Sequence, residues 1–191
     1  GQNCQRLDTH SFLNSIRFGD KIPPELIACK NQPHKSGNLY YSDLQINYNS
    51  LQIKCRKKYA DLFQFLSQPF SISQINTNQI GQILSVEWYS FFDEYQETNT
   101  ASDTPFLAYR KVYQQLESLF GKPTSLQLPT RFDSLLMKVK GIEQAAMWSC
   151  SRIDLKLRVY HGAPEKRLNI LHVTIRNRDF DRMIEVEKSL Q

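Results

Sequence analysis

Two stretches near the C-terminal end alternate apolar and polar residues without a break. Ile153, Leu155, Leu157 and Val159 alternate with Asp154, Lys156, Arg158 and Tyr160. Asn169, Leu171, Val173 and Ile175 alternate with Ile170, His172, Thr174 and Arg176. A period of two sends successive side chains to opposite faces, so each stretch predicts a strand with one buried and one wet face. The loop His161-Gly162-Ala163-Pro164-Glu165-Lys166-Arg167 turns the chain between them and makes the pair an antiparallel hairpin. A lone hairpin cannot shelter an apolar face from water, so further strands and a covering layer are required.

Other segments supply both. Strands are predicted from Leu39-Tyr40-Tyr41, from Leu44, Ile46 and Tyr48, and from Leu51, Ile53 and Cys55, with a bend at 47–50. Residues 59–66 also read as a strand. Residues 67–82 are rich in Ser, Gln and Asn, with a thin seam of Ile72, Ile75, Ile80 and Ile83, and read as an irregular connection or a poor helix. Ile83 to Phe92 is a strong strand, with Val86, Trp88 and Phe92 on one side and Tyr89 and Phe91 on the other. Apolar residues on both sides predict cover on both faces, at least in part. Ala145 to Cys150, with Trp148, opens another strand.

The clearest helix spans 104–120. Thr104 can cap it, Pro105 suits its first turn, and Tyr109, Val112, Tyr113, Leu116, Leu119 and Phe120 recur at helical spacing. Gly121 and Pro123 then end it. Short helices are predicted near 24–30, after Pro23-Pro24, and at 132–139. Residues 31–38 and 93–103 read as polar loops, 1–15 as a lead-in and 179–191 as a loosely attached tail with helical spacing. Without β-α-β alternation the class is α+β: one domain over 1–191, a mostly antiparallel sheet packed against the long helix 104–120.

The chain has 191 residues, 40% of them hydrophobic, too many for a disordered polymer. No apolar run approaches the roughly 18 residues that a membrane-crossing helix needs. The net charge is +5, and it is uneven. Residues 1–95 hold 9 Lys/Arg against 8 Asp/Glu, and residues 96–191 hold 15 against 11. That excess favours encounter with an anionic partner. The start Gly1-Gln2-Asn3-Cys4 lacks Met and reads as a tag remnant on a chain trimmed upstream, which points to export. A lipid-anchored natural form would carry its modified Cys upstream, or at Cys4 itself. The four cysteines Cys4, Cys29, Cys55 and Cys150 contain no CxxC pair, which argues against zinc, and in an exported chain they allow three disulfide connectivities. The favoured pairing is Cys29 with Cys55.

Three features occur together: Phe18-Gly19 ahead of a short helix near Pro24, the helix end Leu119-Phe120-Gly121-Lys122-Pro123-Thr124, and Trp148 shortly before alternating strands. In these the chain resembles small periplasmic or outer-membrane-associated α+β domains of the beta-lactamase-inhibitor-like type, also seen in small lipoproteins of the outer-membrane assembly machinery. The likeness covers residues 15–178 loosely. It implies an envelope location and an α+β class, and it transfers no binding residue, since fold-level likeness does not give function.

Chemistry is sparse. There is no GxGxxG, P-loop, HExxH or GxSxG motif, and His10, His34, His161 and His172 do not pair at metal spacing, so no metal or cofactor is expected. One conceivable thiol site joins Cys150 as nucleophile to His172 and Asp154. Asp93-Glu94 and Asp179/Asp181 are the candidate paired carboxylates, more simply read as solvated acids. Lys156, Arg158 and Arg176 form the best basic patch, although Asp154 shares the row and no nucleic-acid signature accompanies it. Trp88, Tyr89 and Phe91 are the candidate partner-binding aromatics, because large aromatics and Arg dominate interface hot spots. The expectation is a non-enzymatic binding or assembly module of the cell envelope, exported, periplasmic or outer-membrane-associated, whose partner is a protein or an acidic envelope component. The alternative is a small-molecule or lipid-binding domain with a groove between helix and sheet.

Overall fold

A computed structural model describes residues 3–28, 35–41, 44–53, 58–93, 104–127, 144–161 and 168–179. In chain order the strands are β1 (Lys35–Tyr41), β2 (Leu44–Gln52), β3 (Gln64–Phe65), β4 (Gln68–Pro69), β5 (Ile72–Thr77), β6 (Ile83–Asp93), β7 (Ser125–Gln127), β8 (Gln144–Ser149), β9 (Ile153–His161) and β10 (Leu168–Asn177). The helices are α1 (Cys4–Thr9), α2 (Pro24–Ala28) and α3 (Thr104–Phe120). The chain is α+β. Its large sheet runs β1-β2-β5-β6-β10-β9-β8-β7, with every neighbouring pair antiparallel.

The alternating hairpin forms as its period requires. Leu157 lies opposite Val173, and Leu155 opposite Ile175. On the other side of β10, Val173 meets Trp88 and Ile175 meets Val86. Rows of apolar side chains thus run unbroken across three strands, and β8 extends them with Trp148 opposite Leu155. These residues are fully buried and share one hydrophobic cluster with Val112, Leu116 and Phe120 of α3. Gly121 follows α3 with φ of 79°, a conformation that favours glycine. Its carbonyl accepts a 2.8 Å hydrogen bond from Trp148 Nε1, and Thr124 N–H donates to the Met147 carbonyl at 2.7 Å. The helix stop and Trp148, separate features in the sequence, are one contact in space.

Several segments differ from their expected form. The lead-in is integral: Leu7 is fully buried, Leu13 and Ile16 join the core, and Asn3 N–H donates to the Phe120 carbonyl at 2.7 Å. Asp8 fastens the same segment to the β8–β9 turn, accepting hydrogen bonds from Ser151 Oγ and from the amides of Arg152 (3.0 Å) and Ile153 (2.9 Å). Second, the strand expected over 59–66 is instead a 3-10 turn at Ala60–Phe63 followed by the β3–β4 hairpin. The Asp61 carboxylate holds that turn, taking hydrogen bonds from Ser15 Oγ and the amides of Asn14 and Ser15. Leu66 and Ser67 both have positive φ, 48° and 66°, the mirror-image turn that two-residue hairpins favour. Third, part of the expected irregular connection 67–82 is strand β5. Ser73, Ile75 and Thr77 face inward there, so the buried row is only one-third apolar and carries no clear alternation. The bend expected at 47–50 is also absent, because β2 runs straight through it, and residues 35–38 of the expected polar loop are instead the start of β1, paired with β2. The segments 94–103, 132–139 and 180–191, with their loop, helix and tail expectations, lie outside the described residues.

Among the described residues, the core holds a few polar atoms without a hydrogen-bond partner: Trp88 Nε1, Ser73 Oγ and the Tyr109 hydroxyl. A buried donor with no acceptor forfeits its hydration for nothing. Tyr109→Phe removes such a group with almost no change in shape. It is expected to raise stability by about 1 kcal/mol, read as a higher urea midpoint with unchanged slope.

Candidate functional site

Strand alternation that buries Val86, Trp88, Val173 and Leu157 sends their neighbours to the opposite face of the sheet. There the register sets Tyr89 beside His172, Glu87 beside Thr174, and Arg158 on the far side of His172. β5 adds Gln74 opposite Glu87. Four strands therefore converge on one carboxylate and one imidazole.

Glu87 is the hub. Its Oε1 accepts from His172 Nε2 at 3.0 Å, from the Tyr89 hydroxyl at 3.2 Å and from Thr174 Oγ1 at 3.4 Å. Its Oε2 accepts from Asn76 Nδ2 at 2.9 Å and Gln74 Nε2 at 3.3 Å. Asn76 is itself held by Ser85 Oγ (2.8 Å) and Ser50 Oγ (2.6 Å). Burial pushes the Glu87 carboxyl upward, but the hydrogen bonds from His172, Asn76 and Tyr89 and the charge of His172 outweigh it, leaving Glu87 below its ordinary value. For His172 the balance is reversed. Burial holds it below its ordinary value, with Arg158 and Lys156 adding to that and Glu87 opposing it. Burial, with Glu87 and Tyr160 nearby, pushes the Tyr89 phenol upward, so it stays a donor.

The same face carries a stacked row. Phe91 lies parallel to Tyr89 with ring centroids 6.4 Å apart, and Tyr89 lies parallel to His172 at 4.2 Å. Tyr160 meets His172 edge-on at 6.3 Å, and the Arg158 guanidinium covers the Tyr160 ring at 4.5 Å. Phe91, at 42% exposure, is among the few large exposed apolar side chains of the described residues.

Of the residues singled out from sequence, Tyr89, Phe91, Lys156, Arg158 and Arg176 share this face. Trp88 does not. It points to the other side, is fully buried and packs against Phe65, so it is a core residue and no contact surface. The thiol site is overturned: Cys150 is bonded to Cys4, Asp154 is engaged by Ser149 Oγ and Arg178, and His172 belongs to Glu87. The same bridge occupies the sulfur of Cys4, so Cys4 is not available for a thioether-linked lipid. Cys29 and Cys55 lie outside the described residues. So do Glu94, Asp181 and the side chain of Asp93, while Asp179 sits 3.7 Å from Arg152 in an exposed pair. Sequence reading missed Glu87, Asn76 and Gln74. A lone acid amid Ile83–Phe92 was the available signal, and its meaning appears only once β10 supplies His172.

An open groove of about 530 Å³ also exists. It lies between α3 and the Leu66–Ser67 turn, lined chiefly by Lys111, Gln114, Gln115, Ser118 and Leu119. Among the described residues no helix is long and apolar enough to cross a membrane. In comparisons with protein-family models, with curated proteins and with solved structures, nothing matches the chain. The likeness to beta-lactamase-inhibitor-like domains therefore rests on its sequence features alone.

Proposed function

We propose that the chain is a non-enzymatic binding module, exported to the cell envelope, that uses the outer sheet face to hold an acidic protein or acidic envelope component. The row Phe91–Tyr89–His172, continued by Tyr160 and Arg158, carries this reading. Aromatic and arginine side chains contribute most at interface centres, and they do so best when held rigid in advance. Here Glu87 fixes Tyr89 and His172 by hydrogen bonds. Lys156, Arg158 and Arg176 share the face, which suits an anionic partner. In this reading α3, the one long helix among the described residues, is the cover of the core face, and recognition falls to the face opposite.

Two further observations support it. The Cys4–Cys150 bridge suits an oxidising compartment, as export would provide. The Glu87–His172 pair is ill placed for proton transfer to a substrate, because His172 is only 3% exposed and both its nitrogens are engaged. The groove beside α3 is wide open rather than enclosed, with Lys111, Gln114, Gln115 and Ser118 beside Leu66 and Leu119, which does little for the lipid-binding alternative.

The test compares wild type with Phe91→Ser as bait against envelope extracts, at low and high salt, with mass spectrometry of what is retained. Wild type should keep one envelope component through high salt, and Phe91→Ser should keep it at least about tenfold less, the effect of losing one hot-spot contact of about 1.4 kcal/mol. Equal retention by both baits, or nothing surviving high salt, rejects the reading.

A further inference from the structure

His172 sits between two strands that make opposite demands on it. The Arg158 guanidinium keeps its protons at any physiological pH and can only donate. Its Nε–H points at His172 Nδ1, 2.8 Å away. Nδ1 must therefore present a lone pair, and the single ring proton resides on Nε2, aimed at Glu87 Oε1 at 3.0 Å. Thr174 Oγ1, 3.1 Å from Nε2, donates to the same carboxylate. A second proton on the ring has one place to go, Nδ1. It would set two N–H groups head to head, and the Arg158 bond could not survive. Arg158 also covers Tyr160, whose ring meets His172 edge-on, so the departure of Arg158 disturbs that stack as well.

We propose that His172 is a proton-operated latch: neutral, it holds Arg158 and Tyr160 in place, and protonated, it releases Arg158 and rearranges the outer face. Regulation of partner binding by this latch rests on the function proposed above; the latch itself does not. Among the described residues, the titratable and charged groups facing His172 are Glu87 and Tyr89 from β6, Lys156, Arg158 and Tyr160 from β9, and Arg176 on β10 itself. Glu87 alone favours the imidazolium. Burial and the cations oppose it and hold the latch closed at neutral pH, so that it opens only on the acid side of an ordinary histidine.

The experiment is an NMR titration of the whole 191-residue chain from pH 8 to 5, with no partner present. The imidazole nitrogen shifts of His172 should show the Nε2–H form at pH 7. The Arg158 Nε–H signal should be protected there and should shift or vanish with the same midpoint as His172. In His172→Gln, whose amide can accept from Arg158 and donate to Glu87 without titrating, the Arg158 signal should stay constant over the whole range. In Arg158→Ala the His172 midpoint should move upward. An Nδ1–H form at pH 7, a His172 that does not titrate over this range, or an Arg158 signal indifferent to His172 protonation overturns the proposal. Wild type decides these points even if a variant fails to fold. Failure of Phe91→Ser to weaken capture would remove the binding function and leave the latch standing.

Discussion

Cys4→Ala/Cys150→Ala is expected to unfold about 3–5 kcal/mol more easily than wild type. The bridge joins residues 146 apart in sequence, with Cα atoms 5.3 Å apart. In the chain-entropy account, a loop of that length removes about 5 kcal/mol worth of freedom from the unfolded chain. Native contacts soften the loss without replacing it. Leu7 remains fully buried, Asp8 still caps the amides of Arg152 and Ile153, and Asn3 still donates to Phe120. For a chain of this size the melting temperature should fall by about 10 °C. The double variant is the cleaner test, since it leaves no unpaired thiol from this bridge. A fall of only a degree or two would mean that the Asp8 clamp and Leu7, rather than the bridge, hold α1 in place.

The second large effect is expected from Glu87→Ala. Truncation leaves His172, Asn76, Gln74, Tyr89 and Thr174 without their common acceptor. Breaking a buried, multiply bonded carboxylate from one side costs about 3 kcal/mol. Glu87→Gln retains an acceptor oxygen and should lose less. The pH profile carries a signature of the same cluster. His172 lies below its ordinary 6.5, so the unfolded chain binds more protons than the native one between that lowered value and 6.5. Its contribution is full above 6.5 and is lost as pH falls through that window. Glu87 lies below its ordinary 4.5, so its contribution is full above 4.5 and is lost at lower pH. Urea midpoints across pH 8 to 3.5 should therefore be flat at the alkaline end and fall in two acid steps. In Glu87→Ala the lower step should shrink. Acid stability identical in the two proteins would show that Glu87 is not the hub.

How much of this was legible depends on which face of an element a residue occupies. β9, β10 and α3 were readable because each has one consistently apolar side, Leu155 to Val159, Leu171 to Ile175, and Val112 to Phe120. β5 was not, because its inward positions Ser73 and Thr77 are small polar residues while its outward Gln74 and Asn76 serve Glu87. A hydrophobicity pattern cannot register a strand whose outer side is dry through hydrogen bonding. The clustering of Tyr89, Phe91, Lys156, Arg158 and Arg176 on one face followed from alternation alone. Their organisation around Glu87 did not, since Glu87 and His172 are 85 residues apart and meet only through the β6–β10 register. The Cys4–Cys150 pairing was hidden for the same reason: sequence spacing carries no record of which loop ends finish side by side.

The place of β6 has a consequence for how the chain must be made. β6 spans 11 residues in the middle of the sheet, paired to β5 on one edge and β10 on the other. Until residue 168 has emerged, its second edge is bare, and Trp88 and Val86 have no Val173 or Ile175 beside them. A nascent chain ending before β10 thus exposes a long hydrogen-bonding edge flanked by apolar side chains, the kind of surface that recruits a second copy. The sheet is completed only once β10 has emerged, because the β6–β10 pairing joins segments far apart in the chain while the other pairings join segments much nearer in sequence. Until then β6 is the edge most open to pairing with a wrong neighbour, and the β6–β10 register is the step that closes it.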